Sequence, residues 1–93
     1  MGLKAYLRMY EKLNDYLPDK KRKRDFSFPI KGSTTIRDAV SCLKIPPEKI
    51  DLVLINGESV SFKHVIKKGD RVSFYPAFEF FDISSVTKLK DTN

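Results

Sequence analysis

Ile50-Asp51-Leu52-Val53-Leu54-Ile55-Asn56-Gly57, followed by Lys68-Gly69-Asp70-Arg71-Val72-Ser73-Phe74-Tyr75-Pro76, is the stretch on which the fold turns. Leu52 to Ile55 is a continuous apolar run of strand length. It ends in Asn-Gly, the strongest short hairpin signal, because both residues tolerate the positive φ values of a tight two-residue turn. A short return strand over 59–62 is expected. Lys68-Gly69-Asp70 is a second turn, and Arg71 to Pro76 alternates again with Val72 and Phe74 inward, which marks a last strand with one buried face.

Upstream of this stretch, Pro46 and Pro47 forbid a helix beyond about Lys44 or Ile45. Before them Ile36, Ala39, Val40 and Leu43 fall on one helical face. Thr35 stands as N-cap with Asp38 three residues on, a near relative of the capping box. Phe26, Phe28 and Ile30 alternate with Ser27 and Pro29, and because proline cannot donate to a ladder this strand belongs at a sheet edge. Leu3, Ala5, Leu7 and Met9 alternate with Lys4, Tyr6, Arg8 and Tyr10, giving a first strand with one buried face. Between these two strands Leu13, Tyr16 and Leu17 sit at helical spacing until Pro18 ends the turn, and no apolar residue follows until Phe26.

The order strand, strand, helix, strand, short strand, strand is similar to the β-grasp of ubiquitin-like proteins. That resemblance implies an α+β fold, a mixed sheet of four to five strands crossed by one main helix, with the first and last strands as parallel central neighbours. Residues 1–85 are read as this single domain and 86–93 as a polar tail that frays.

Composition narrows the class. A chain of 93 residues buries roughly 60 to 65% of its unfolded surface, enough for one core. Eleven aromatic residues, seven Phe and four Tyr, argue against disorder. The formal charge of +6 is one segment, Lys20-Lys21-Arg22-Lys23-Arg24; the other 13 basic residues against 12 acidic ones leave the rest at +1. No stretch approaches the roughly 18 apolar residues of a membrane span and no signal-peptide core precedes the first strand, so a cytoplasmic setting is expected. One Cys and one His supply no structural zinc set.

Beyond fold class, Gly69-Asp70-Arg71-Val72 leading to Tyr75-Pro76, after Ile55-Asn56-Gly57, resembles the sulfur-carrier group of the molybdopterin synthase small subunit and the thiamine carrier. A fuller match is to the ubiquitin-like domain that accompanies the Mut-7-C RNase domain. It is carried by residues 10–18 (Tyr10-Glu11-Lys12-Leu13-Asn14-Asp15-Tyr16-Leu17-Pro18), by Thr35-Ile36-Arg37-Asp38, by Ile45-Pro46-Pro47, by residues 50–57, and by Tyr75-Pro76-Ala77-Phe78-Glu79 through Asp82-Ile83. The resemblance implies a β-grasp module that serves a nuclease-like domain, no part of which lies in these residues. Sulfur carriers end in a Gly-Gly tail whose carboxylate is adenylated and sulfurated. Here Gly2, Gly32, Gly57 and Gly69 are never adjacent, so a carrier role is the runner-up expectation.

Catalysis and cofactors are not expected. Cys42, at the margin of the helical stripe, reads as a small, partly buried hydrophobe rather than a nucleophile, since nothing near it in sequence offers a base. His64 reads as a solvated loop residue. Asp51, Asp70 and Asp82 have simpler places at a strand start, a turn and the tail than around a metal ion.

Two features can bind something. Lys20, Lys21, Arg22, Lys23 and Arg24 form a candidate polyanion site for RNA phosphates; with all five engaged on a single strand, log K would fall with log salt at a slope of about −3.5. Against this stands a solvated loop, the ordinary fate of such runs. Phe78, Glu79, Phe80 and Phe81 form a candidate protein interface, for a nuclease-like domain, another protein or a second copy, against the alternative of a tail folded over its own core edge. With parallel first and last strands, the basic run and the Phe-rich tail leave the sheet at the same end, and one composite surface is expected.

Overall fold

The computed structural model describes residues 2–77. β1 (Leu3–Met9) is followed by 3-10 turns over Glu11–Tyr16 and Asp19–Lys21, then β2 (Phe26–Ile30), α1 (Ile36–Cys42) and a 3-10 turn at Pro47–Lys49. β3 (Ile50–Ile55), β4 (Glu58–Ser59) and β5 (Arg71–Pro76) complete a five-stranded mixed sheet in the order β2-β1-β5-β3-β4. β1 and β5 are the parallel pair, Leu7 opposite Val72 and Met9 opposite Phe74; the neighbouring pairs are antiparallel. This is the α+β ubiquitin-like β-grasp, with the proline-bearing β2 on the edge.

One face of the sheet holds the core. Ala5, Leu7 and Met9 of β1, Phe26, Phe28 and Ile30 of β2, Val53 and Ile55 of β3, and Val72 and Phe74 of β5 are buried with Ile36, Ala39 and Val40 of α1. Asn56 (φ 51°) and Gly57 (φ 91°) make the tight β3–β4 turn with two successive left-handed residues.

α1 begins at the Thr35 capping box: the Thr35 hydroxyl accepts from the Asp38 amide at 3.2 Å, and the Thr35 amide donates to the Asp38 carboxylate at 2.9 Å. The helix ends earlier than its proline signals allow. Lys44 takes a left-handed φ of 59°, its amide donates to Ser41 O at 3.0 Å, and the Ile45 amide donates to Val40 O at 3.1 Å. This Schellman closure turns Ile45 into the core. Because the helix is this short and its stripe is Ile36, Ala39 and Val40, Cys42 is exposed rather than partly buried.

The return strand is shorter than expected, only Glu58–Ser59. Val60 still donates to Val53 O at 3.0 Å, but the chain then leaves the ladder for the start of α1. There the carbonyls of His64 and Phe62 accept from the amides of Ile36 and Arg37, both at 3.0 Å. Those helix N–H groups have no intrahelical partner, so they draw residues 62–64 out of the sheet. Residues 78–93, which include Phe78, Glu79, Phe80, Phe81 and the polar tail, lie outside the described residues.

Candidate functional site

The sheet's second face carries no helix among the described residues. Alternation, broken once in β3 between Ile50 and Leu52, sends residues of each strand to it, and the register sets them in cross-strand rows. Leu54, Ser73 and Arg8 form one row across β3, β5 and β1; Leu52 and Tyr75 begin the next; Arg71, Tyr6 and Ser27 run along the other side. Leu52 is 39% exposed; it pairs with Tyr75 of β5 on one side, and on the other β4 stops short of it. Tyr10, just past β1, stacks on Tyr75 with ring centroids 4.5 Å apart and planes at 6°. The Arg8 guanidinium lies 5.1 Å from the centroid of the Tyr10 ring. The face is therefore an aliphatic and aromatic centre flanked by Arg8 and Arg71, the composition that protein interfaces favour.

The continuous run Leu52-Val53-Leu54-Ile55 already held this information. A strand that is apolar at four successive positions offers apolar side chains to both faces, and only one face can meet the helix. Arg8 and the tyrosine pair left no comparable signal, since their neighbours come from the opposite end of the described chain.

The basic run lies in the β1–β2 connection, and the fold does not leave its five side chains equivalent. Arg22 is folded back, its Nε donating to Leu17 O at 2.8 Å and its Nη1 3.3 Å from the Asp19 carboxylate. The Lys21 ammonium stands 5.2 Å from the centroid of the Phe26 ring. Lys20, Lys23 and Arg24 are exposed. Buried Asn14 organises the connection: its Nδ2 donates to Glu11 O at 3.0 Å and its Oδ1 accepts from the Lys23 amide at 2.7 Å. The connection and the exit of β5 at Ala77 share one end of the sheet, because β1 and β5 run parallel.

Of the other polar candidates, Asp70 has a structural occupation. Asp70 accepts from the Lys67 amide at 2.8 Å and from the Asn56 side chain at 3.2 Å, which fixes the turn before β5. His64 and Asp51 are exposed. No three His, Cys, Asp or Glu side chains converge on a metal position among the described residues, and no described helix is long and apolar enough to cross a membrane.

Residues 2–82 match the Mut7-C ubiquitin family. The chain belongs to that family. As a Mut7-C ubiquitin domain it shares its fold with solved structures of low identity. Small archaeal modifier protein 1 of Haloferax volcanii is 20% identical with a TM-score of 0.61, covering 81% of this chain and 98% of that one. Molybdopterin converting factor subunit 1 of Pyrococcus furiosus is 15% identical with a TM-score of 0.61, covering 80% and 97%. The HVO 2177 protein of Haloferax volcanii is 17% identical with a TM-score of 0.62, covering 81% and 83%. At these identities the likeness is one of fold. No curated protein matches this Mut7-C ubiquitin domain at a significant level.

Proposed function

We propose that this chain is a non-catalytic β-grasp interaction module that docks a Mut7-C nuclease-like domain or a similar protein partner through its uncovered sheet face, with the basic connection adding electrostatic contact to RNA. The observation that carries the reading is the exposed Leu52 beside Leu54 and the Tyr10–Tyr75 stack. Such a patch costs free energy in water and is relieved by a partner. The family supplies the choice of partner.

The test is a titration of the 15N-labelled full chain with a separately expressed Mut7-C nuclease-like domain. Amide shifts are expected at Leu52, Leu54 and Tyr75. Leu52→Glu is expected to weaken binding about 30-fold, the equivalent of about 2 kcal/mol for an interface hot spot. Shifts confined to the helix side of the sheet, or none, would reject the surface.

The fold likeness to molybdopterin converting factor subunit 1 supports a second reading, a sulfur carrier. That chemistry needs a diglycine terminus, and none of the four glycines adjoins another. Incubation with an activating enzyme and ATP, followed by mass spectrometry, separates the two readings. An adenylate or thiocarboxylate on the chain's terminal carboxylate would overturn the docking module.

A further inference from the structure

At the end of β1 a cation, Arg8, has no counter-ion among the described residues. Arg8 is partly buried, and its Nε is closed off from solvent with no hydrogen-bond acceptor. Asp25, the carboxylate just before β2 and past the last β1–β2 pair, Leu7–Phe26, is taken by Arg71, whose Nη1 lies 3.1 Å from it. Arg8 forms no ion pair with any described carboxylate. A partly desolvated guanidinium normally has its charge met, because desolvation without a partner is unfavourable.

Arg8 lines a cleft of about 430 Å³ between the β1 end and the 3-10 turn that follows it. Lys12, Lys23 and the Tyr10 ring share the lining, together with the exposed carboxylates of Glu11 and Asp15. The cleft is built rather than incidental. Glu11 (φ 51°) and Lys23 (φ 59°) are both non-glycine residues in the left-handed region, and both are held there through Asn14, which is only 6% exposed and bonds each of them. Asn14 thereby fixes two walls of the cleft.

We propose that this cleft receives an aspartate or glutamate side chain of the docked protein, with Arg8 as its anchor and the Tyr10–Tyr75 stack as the apolar wall beside it; the inference rests on the docking reading above. Three cations against two carboxylates leave one positive charge in the lining, matched to a single carboxylate. An RNA strand would carry successive phosphates past Glu11 and Asp15, which oppose them. The guanidinium carbon lies 5.1 Å from the Tyr10 ring centroid, and because Nε is closed off, the terminal Nη groups are the donors that meet a carboxylate. Tyr10 lines the cleft and stacks on Tyr75, which places the cleft beside the apolar centre of the face.

The test uses the full chain labelled for the arginine Nε–Hε and tyrosine ring resonances, and three probes: N-acetyl-Asp-Leu-amide, N-acetyl-Asn-Leu-amide and a uridine pentanucleotide. The Asp dipeptide is expected to shift the Arg8 Hε and Tyr10 ring signals saturably at about 1–10 mM, the range of a single small contact. The Asn dipeptide is expected to leave them unmoved. Arg8→Gln abolishes the response while Lys4→Gln, elsewhere on β1, keeps it; Arg8→Lys, which retains the charge, weakens it at least tenfold. Equal responses to both dipeptides, no response at Arg8, or a response to the pentanucleotide alone overturns the proposal. Nuclease-like domain binding that is lost in Leu52→Glu but unchanged in Arg8→Gln removes the cleft and leaves the docking surface. Dipeptide binding at Arg8 without any domain binding removes the docking surface instead.

Discussion

Asn14 shows how much one side chain can decide here. It is the one buried polar residue of the described core, and both ends of its amide are committed, to Glu11 O and to the Lys23 amide nine residues away. A paired amide contributes about 1 kcal/mol net, whereas a buried partner left unpaired costs about 1–3 kcal/mol. Asn14→Ala is therefore expected to lower the unfolding free energy by about 2 kcal/mol in urea denaturation. The Lys23 amide should also lose its protection from hydrogen exchange. Unchanged protection would mean that the cleft wall is held by something other than this bond. Neighbouring residues give no hint of the role, since the spacing of Leu13, Tyr16 and Leu17 announces a turn but not what the turn is tied to.

At the scale of the element, α1 is legible where its signals are local. A capping box spans four residues, so Thr35 and Asp38 can be read directly from the chain, and the structure contains both bonds. Thr35→Ala is expected to cost about 1 kcal/mol, read by denaturant unfolding. The Thr35 amide, and secondarily its hydroxyl, hold the Asp38 carboxyl below its ordinary value. A lowered native value means that this contribution is complete above the ordinary aspartate range and is lost as pH falls through the lowered one. In acid unfolding curves, Asp38→Asn should flatten that part of the decline; a curve that keeps its full slope would show that the carboxylate bond is not made. The helix end and the short β4 were less legible because their causes are tertiary. Ile45 ends the helix by seeking the core, and the unpaired amides of Ile36 and Arg37 pull Phe62 and His64 off the ladder.

For the molecule as a whole, the basic run has been sorted by packing into side chains that are occupied and side chains that are available. With Arg22 on Leu17 O and Asp19, and Lys21 over Phe26, the three cations whose side chains make no such contact, Lys20, Lys23 and Arg24, remain. Binding of a uridine oligonucleotide should therefore show a log K against log salt slope of about −2, not the roughly −3.5 of five engaged cations. A titration at two salt concentrations distinguishes these values, and the steeper one would mean that Arg22 and Lys21 leave their contacts. What the sequence by itself determined is the order of the elements, the inward parity of β1, β2 and β5, the edge position of β2, the helix start and the Asn56-Gly57 turn. Each of these depends on residues within a few positions of one another, where steric and hydrogen-bonding preferences act directly. Only the tertiary structure decided that Leu52 and Leu54 look outward together with Tyr75, that Arg71 takes the Asp25 carboxylate, and that the cationic cluster is partly spent. Those outcomes follow from β1 and β5 lying side by side, a pairing between the two ends of the described chain that fixes which charges and which apolar surfaces go unmatched.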